Sequence, residues 1–205
     1  NYIRFPYWLM TVFKPEDDFN AIKQKCALLN KHKIKVQDRI NFCSFICRKD
    51  YFDERIKIYN EISQVDRVDC DGVFMHNNDV LKTHFNDDKH EFLKTYKFNL
   101  CPENSDSKGY VTEKVFDAIQ SGCIPIYWGS GNKPEPEVLN NDAILFFNYN
   151  SNNKFLIERI RELHVREKTY KEFAEQNRLK KDAPEIIYDY FLKLETKLRT
   201  LLKNT

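Results

Sequence analysis

Three charged side chains stand where predicted helices begin, and together they could bind an anion. Arg55 lies near the start of one helical pattern, and Glu113 and Lys114 lie near the start of another. A helix N-terminus offers free N–H groups and a partial positive charge, so a cation is unfavourable there unless an anion is bound. Lys114 therefore indicates a phosphate ligand. For this lysine alone, the alternative is a solvated side chain paired with Glu113 or Asp117.

Short apolar runs alternate with helical patterns along the chain. The runs predict strands at residues 40–47, 68–74, 97–103, 123–128 and 143–148. Apolar residues at helical spacing predict helices at residues 19–30, 51–65, 90–96, 112–122 and 153–165, and a mostly helical segment 168–203 with a break near Ala183-Pro184. This alternation predicts an α/β fold, in which helices cover both faces of a parallel sheet.

The polar run 103–112 follows a predicted strand and precedes a predicted helix. In a parallel sheet wrapped by helices, ligands bind beyond the carboxyl ends of the strands, so this run should lie at the binding edge. Thr112 is the predicted N-cap of the helix, and Gly122 is the predicted residue just beyond its end.

Composition excludes several classes of protein. The hydrophobic fraction of 41% can supply a core, while 33 basic and 31 acidic residues give a net charge of only +2. This balance is not typical of a nucleic-acid-binding surface. The sequence shows no membrane-spanning run and no signal peptide. Residue 1 is Asn and not Met, which suggests a fragment or a processed chain.

The cysteines and histidines predict neither a disulfide scaffold nor a metal site. Six cysteines have irregular spacing and several lie in apolar runs, which favours buried free thiols in a reducing compartment. The absence of Asn-x-Ser/Thr sequons agrees with this. The five histidines lack ligand spacing. The triplet Asp69-Cys70-Asp71 imitates a metal-diphosphate motif, but we do not expect it to bind metal.

The segment "YKFNLCPENS…GYVTEKVFDAIQSGCIPIYWGS" resembles the donor-binding signature of the α-1,3/4-fucosyltransferases, which transfer L-fucose from GDP-fucose. The resemblance extends upstream through "FCSFICRKDYFDERIKIYNEISQVDRVDCDG" and "NYIRFPYWLM", and downstream through "AILFFNYNSNNKFLIERIRELHVREKTYKEF". The resemblance covers residues 1–180. Within the family, the chain is most similar to the bacterial members that add Lewis-type antigens to lipopolysaccharide.

This resemblance implies a GT-B architecture, in which two Rossmann-like domains face each other across a cleft. It implies that residues 1–38 end the acceptor domain, that residues 39–167 form the GDP-fucose-binding domain, and that residues 168–205 form carboxyl-terminal helices. The family's glutamate base lies upstream of "YIRFP", so we expect it to precede residue 1. A rebuilt acceptor platform that uses Glu16, Asp17 or Asp18 as base is the alternative.

The resemblance also implies roles for individual residues. Arg55 and Lys114 match family residues on the β-phosphate of the donor, where they would stabilise the charge of leaving GDP. Glu113 matches the family glutamate that holds fucose and favours positive charge on its ring. These three are the predicted catalytic residues. Asn104 and Tyr110 match positions near the ribose and phosphates.

Three further donor contacts rest on weaker correspondence. Ser105 is a weaker candidate for a contact with GDP-fucose. The guanine should meet the segment 84–88, where Phe85 or His84 could stack on the base.

The sequence therefore predicts an inverting α-1,3/4-fucosyltransferase that uses GDP-fucose and needs no metal or other cofactor. The expected acceptor is the GlcNAc hydroxyl of an N-acetyllactosamine-type glycan on lipopolysaccharide O-antigen, and no nucleic-acid partner is expected. The expected location is the cytoplasm, including the inner face of the bacterial inner membrane as a peripheral protein. Two alternatives stay open: an inactive GDP-sugar-binding domain, and a GT-B transferase for another nucleotide sugar.

Overall fold

The computed structural model describes residues 3–31, 36–50 and 53–203. Five strands form one parallel sheet in the order β2-β1-β3-β4-β5. The strands are β1 (Asn41–Ser44), β2 (Val68–Asp69), β3 (Tyr96–Pro102), β4 (Ile124–Trp128) and β5 (Leu145–Phe146). The helices are α1 (Trp8–Val12), α2 (Phe19–Asn30), α3 (Glu54–Ile62), α4 (Val80–Phe85), α5 (Lys89–Leu93), α6 (Lys114–Gln120), α7 (Lys154–Val165), α8 (Glu167–Ala174) and α9 (Ala183–Lys203).

The sheet lies between two apolar layers, as the continuous apolar run of β4 and the mostly buried residues of β3 require. One layer joins Phe98 and Leu100 of β3 to residues of α3, α7 and α8. The other joins Cys101 of β3 to α6, α9 and the first two helices. Each fully buried large apolar side chain contributes about 1.5–3 kcal/mol, so these layers fix the sheet and the loops at its edge.

The amino-terminal segment packs into the same core as the sheet. Trp8 of α1 is fully buried, and its ring stacks on Phe116 of α6 with centroids 4.2 Å apart. Leu9, Phe13 and Ile22 are buried in the same layer. Residues 3–31 therefore help to hold α6, the helix that carries Lys114.

The α/β fold with a parallel sheet is confirmed, while several element bounds differ from the sequence prediction. Strands β2 and β5 have two residues each, and the polar segment before residue 90 contains the additional helix α4. The long helical segment breaks between α8 and α9, and Ala183-Pro184 begins α9. Proline suits a first helical turn because its missing N–H has no partner there in any case.

The two predicted ends of the central helix had different outcomes. The helix ends at Gln120, and Gly122 has the predicted positive φ of 72° just beyond it. The predicted N-cap Thr112 is wrong, because α6 begins at Lys114 and Glu113 occupies the cap position. Instead, the hydroxyl of Thr112 donates to Glu103.

Among the helices in the described ranges, none is both long and apolar enough to cross a membrane.

Candidate functional site

A cleft of about 910 Å³ lies beyond the carboxyl ends of β1 and β3, within the size range of small-molecule sites. Its lining includes four predicted site residues, Arg55, Asn104, Glu113 and Lys114. Six basic and four acidic side chains line it in all, and two of the basic ones, Lys89 and Lys114, pair with acids outside the lining. Several cations gathered at one edge can still donate hydrogen bonds to an anionic ligand.

Arg55 is placed by the first turn of α3. The carboxylate of Asp50 accepts from the backbone N–H of Ile56 at 2.9 Å, which caps this turn. The Arg55 side chain is only 5% exposed. Its Nη2 donates to Oδ1 of Asn104 at 2.5 Å, and its Nη1 donates to the carbonyl of Lys49. The fold therefore joins Arg55 of helix α3 to Asn104 of the loop after β3 at the edge of the cleft.

Lys114 is held by a buried acid that the sequence reasoning did not single out. Glu103, at the end of β3, is 1% exposed. Its Oε1 accepts from the backbone N–H of Thr112 at 2.8 Å, and its Oε2 accepts from the Thr112 hydroxyl at 2.7 Å. The same Oε2 lies 3.1 Å from Nζ of Lys114. Glu103 thus fixes both the start of α6 and the direction of its first lysine.

Glu113 lies beside Lys114 at the start of α6 and lines the cleft. Its backbone carbonyl accepts from the N–H of Asp117 at 2.8 Å, which keeps the first turn regular. Its side chain is partly exposed, so it can reach a ligand that rests on the cleft wall.

Four predicted donor contacts are not among the residues that line this cleft. The Ser105 hydroxyl bonds to the Ser107 hydroxyl at 2.6 Å. Tyr110 is 38% exposed on the neighbouring loop. His84 is exposed on α4, whereas Phe85 packs against Phe92 of the core with centroids 5.7 Å apart. The structure does not bring the last two side chains to the cleft.

Further basic residues line the cleft that sequence reasoning did not select, namely Arg48, Lys49, Lys82 and Lys89. Lys89 begins α5, and its Nζ lies 2.6 Å from Oδ2 of Asp117 in α6. The sequence signal that could have identified Lys89 was again a cation in the first turn of a helix. The contact with Asp117 could not be predicted because the two residues are 28 positions apart.

The acidic triplet has protein partners. Asp69 accepts from the Tyr96 hydroxyl at 3.0 Å and from Nε of Arg67 at 2.8 Å. Asp71 accepts from the backbone N–H of Leu81 at 2.8 Å, and burial raises the pKa of its carboxyl. Within the part of the chain that the structure describes, no group of three or more His, Cys, Asp or Glu side chains is arranged to hold a metal ion.

The three acids considered as alternative bases lie on the loop before α2. Asp17 accepts from the backbone N–H of Lys14 at 2.8 Å and pairs with Lys25, and Asp18 caps α2 by accepting from Ala21 at 2.8 Å. Glu16 is exposed, and none of the three lines the cleft.

The sequence of the chain matches a family model over most of its length. Residues 31–185 match the model described as "Glycosyltransferase family 10 (fucosyltransferase) C-term". The chain belongs to glycosyltransferase family 10. This membership confirms the resemblance that the "ENS…GYVTEK" segment indicated.

Curated relatives agree with the family 10 assignment. An alpha-(1,3)-fucosyltransferase of Helicobacter pylori is 31% identical over 185 residues, which cover 87% of this chain and 36% of that protein. A putative fucosyltransferase of Acanthamoeba polyphaga mimivirus is 28% identical over 161 residues, which cover 75% of this chain and 26% of that protein. The chain therefore spans about a third of the length of these relatives or less.

Solved structures of alpha1,3-fucosyltransferases share the fold. One, determined with GDP-fucose, superposes with a TM-score of 0.62 at 27% identity, covering 83% of this chain and 52% of that one. Another superposes with a TM-score of 0.67 at 25% identity, covering 93% of this chain and 62% of that one. These neighbours are GT-B fucosyltransferases, in agreement with the predicted fold class.

Proposed function

We propose that this chain is the donor-binding part of an inverting α-1,3-fucosyltransferase and that its cleft binds GDP-fucose. The observation that carries the proposal is the meeting of Arg55, Asn104, Glu113 and Lys114 at one cleft beyond the strand ends. Family membership and the solved relative with bound GDP-fucose support this choice of ligand.

In the proposed reaction, an acceptor hydroxyl oxygen forms a bond to the anomeric carbon of fucose while the bond from that carbon to the β-phosphate oxygen breaks. The hydroxyl proton passes to a general base, and GDP leaves with the bonding electrons. Arg55 and Lys114 would stabilise the charge that grows on the β-phosphate. Glu113 would stabilise the positive charge that develops on the sugar ring.

The finer parts of the proposal concern the acceptor. We propose a GlcNAc hydroxyl of an N-acetyllactosamine-type glycan, carried on lipopolysaccharide O-antigen, with an α-1,3 linkage and the α-1,4 linkage as a second product. Fucosyl transfer to N-acetyllactosamine, followed by mass spectrometry and linkage analysis, tests this part separately from donor binding.

Calorimetric titration with GDP tests the donor site. We expect Lys114→Ala and Arg55→Ala each to weaken GDP binding by about ten- to a hundredfold, since each removes a charge-assisted hydrogen bond to phosphate. Lys168→Ala is a matched control because Lys168 also lies in the first turn of a helix, α8, but is 90% exposed. Equal GDP affinity in both cleft variants and the control would reject the phosphate site.

Two further titrations distinguish the alternatives. Binding of GDP-fucose in preference to GDP-mannose and UDP-sugars supports the fucosyltransferase, whereas a preference for another sugar supports a different GT-B transferase. We also propose that binding needs no metal, so EDTA should leave the GDP affinity unchanged. Binding that EDTA abolishes and manganese restores would instead implicate Asp69 and Asp71.

A further inference from the structure

The loop between β3 and α6 is clamped at Gly109. This residue has a φ of +77°, which glycine adopts without steric cost. Its N–H donates to the Ser130 hydroxyl at 3.0 Å, and its carbonyl accepts from Nη2 of Arg4 at 2.8 Å. The backbone N–H and the backbone carbonyl of Gly109 are therefore both held by side chains that are distant in sequence.

Arg4 joins this loop to two other parts of the chain. Its guanidinium forms an ion pair with Glu135, which is 5% exposed, and its Nη1 donates to the Tyr190 hydroxyl of α9 at 2.9 Å. A planar guanidinium can serve these partners together because its five N–H groups point in fixed directions. Removal of Arg4 would leave the buried carboxylate of Glu135 without its cation, which is costly.

The residues that form the clamp are held in unusual backbone conformations. Ser130 has a φ of +52° and Glu135 a φ of +40°, although neither is glycine. Such conformations are costly and persist only where the surroundings enforce them, and they concentrate at functional sites. Both of these residues act on Gly109, Ser130 directly and Glu135 through Arg4. The N–H of Gly131 adds a further contact, to Asp106 in the same loop, at 2.5 Å.

We propose that Arg4 is a positioning residue for donor binding. By fixing the Gly109 carbonyl, it holds the segment that leads from Asn104 to Lys114 in the conformation that meets the donor diphosphate. Its hydrogen bond to Tyr190 also connects helix α9 to this segment. This inference rests on the proposed function, because it concerns the same cleft.

The test compares the affinities of Arg4→Ala and the unmodified chain for GDP and GMP, together with their thermal unfolding. We expect the folded variant to lose about tenfold or more in GDP affinity and less in GMP affinity, because the clamped loop ends at the lysine assigned to the β-phosphate. A purely structural role of Arg4 would reduce both affinities by the same factor through the folded fraction.

Chemical rescue gives an independent result. Arg4→Ala leaves a space bordered by Glu135, Tyr190 and the Gly109 carbonyl, which low millimolar guanidinium chloride should occupy and thereby restore GDP binding. Guanidinium should not restore GDP binding in the Lys114→Ala variant. Arg4→Lys should recover only part of the affinity, because one ammonium cannot reproduce the planar fork.

A milder variant keeps the test decisive if Arg4→Ala fails to fold. Tyr190→Phe removes only the hydroxyl that accepts from Arg4. We expect a smaller loss of affinity than in Arg4→Ala, and the loss should again be larger for GDP than for GMP. Unchanged GDP affinity in folded Tyr190→Phe and folded Arg4 variants would overturn the inference while the proposed function stands. Absence of GDP binding by the unmodified chain would instead reject the proposed function.

Discussion

The ammonium of Lys114 lies 3.1 Å from Oε2 of Glu103, a carboxylate that is 1% exposed. The lysine assigned to the phosphate is therefore held by a buried counter-charge within the protein. This arrangement orients the ammonium before the ligand arrives, which lowers the entropic cost of binding. It also makes the position of Lys114 depend on Glu103.

Removal of the Glu103 carboxylate should destabilise the fold. Glu103→Ala leaves the backbone N–H of buried Thr112 without its acceptor, so we expect the free energy of unfolding to fall by about 1–3 kcal/mol. Urea denaturation measures this loss. Glu103→Gln is the control, because its amide oxygen can still accept from Thr112 and should preserve part of the stability. Identical unfolding midpoints for the unmodified chain and the alanine variant would contradict this role.

Gly129 should not tolerate a side chain. A Cβ at this position would lie 2.8 Å from Cβ and 2.9 Å from Cγ of Glu103, and the φ of +127° is unfavourable for other residues. We expect Gly129→Ala to cost about 2 kcal/mol or more, from backbone strain and the displacement of Glu103. Gly131→Ala is the comparison variant, since its φ of +60° is in the milder left-handed helical region and no atom lies within 4 Å of the added Cβ.

The two glycine variants differ in both contact and conformation, because Gly129 combines its φ with a ψ of 171°, which is almost restricted to glycine, whereas Gly131 is in the left-handed helical region. Gly131→Ala should lose only about 1 kcal/mol, the cost of a left-handed backbone for alanine. Equal losses in urea denaturation would contradict the expected extra cost of the Glu103 contact and the glycine-specific backbone at Gly129.

The sequence predicted elements well where an apolar stripe or run is long. Helix α2 was predicted at residues 19–30 and has these bounds, because Ile22, Cys26 and Leu29 supply a buried stripe. Helix α4 was missed because its six residues are too few to give a periodic pattern, although Val80, Leu81 and Phe85 pack against the core. The short β5 was overestimated, because the apolar residues Ile144 and Phe147 on either side of it are buried without belonging to the strand.

The predicted site residues that meet at the cleft came from two sources, a local signal and the family resemblance. Lys114 was identified from its place at a helix start, and Arg55 and Asn104 were assigned through the family resemblance. Local sequence could not show that Phe85 turns towards Phe92. Nor could it show that Arg4 reaches Gly109, because that contact joins residues 105 positions apart and depends on the completed fold.

The burial of Trp8 predicts that the amino-terminal segment is needed for stability. Trp8 is fully buried and stacks on Phe116, so we expect Trp8→Ala to cost about 3–5 kcal/mol in unfolding free energy. Tyr7→Ala is the control, because the adjacent Tyr7 side chain is 60% exposed. Urea denaturation followed by circular dichroism measures both variants. A small loss for Trp8→Ala would show that this segment packs independently of α6.

The cysteines predict a loss of stability at alkaline pH. All six are free and buried, as the sequence indicated. Burial raises the pKa of Cys123 to about 11 and the pKa values of Cys26 and Cys70 to about 12, from an ordinary value of 9.0. The folded protein therefore keeps protons that the unfolded chain releases above pH 9.0. The stabilisation is complete below that pH and is lost as the pH rises towards 11–12.

Two measurements check this behaviour. The urea midpoint should fall steadily as the pH is raised from 8 to 10.5. About a third of that fall should disappear when Cys26 and Cys70, two of the six buried thiols, are replaced by alanine, after correction for the lower stability of the double variant at pH 8. A thiol reagent such as Ellman's reagent should react slowly with the folded protein at pH 8 and rapidly in denaturant, because buried thiols are both inaccessible and protonated. Rapid reaction of all six thiols without denaturant would show that the layers around the sheet open readily, which contradicts the burial of Cys43, Cys101 and Cys123.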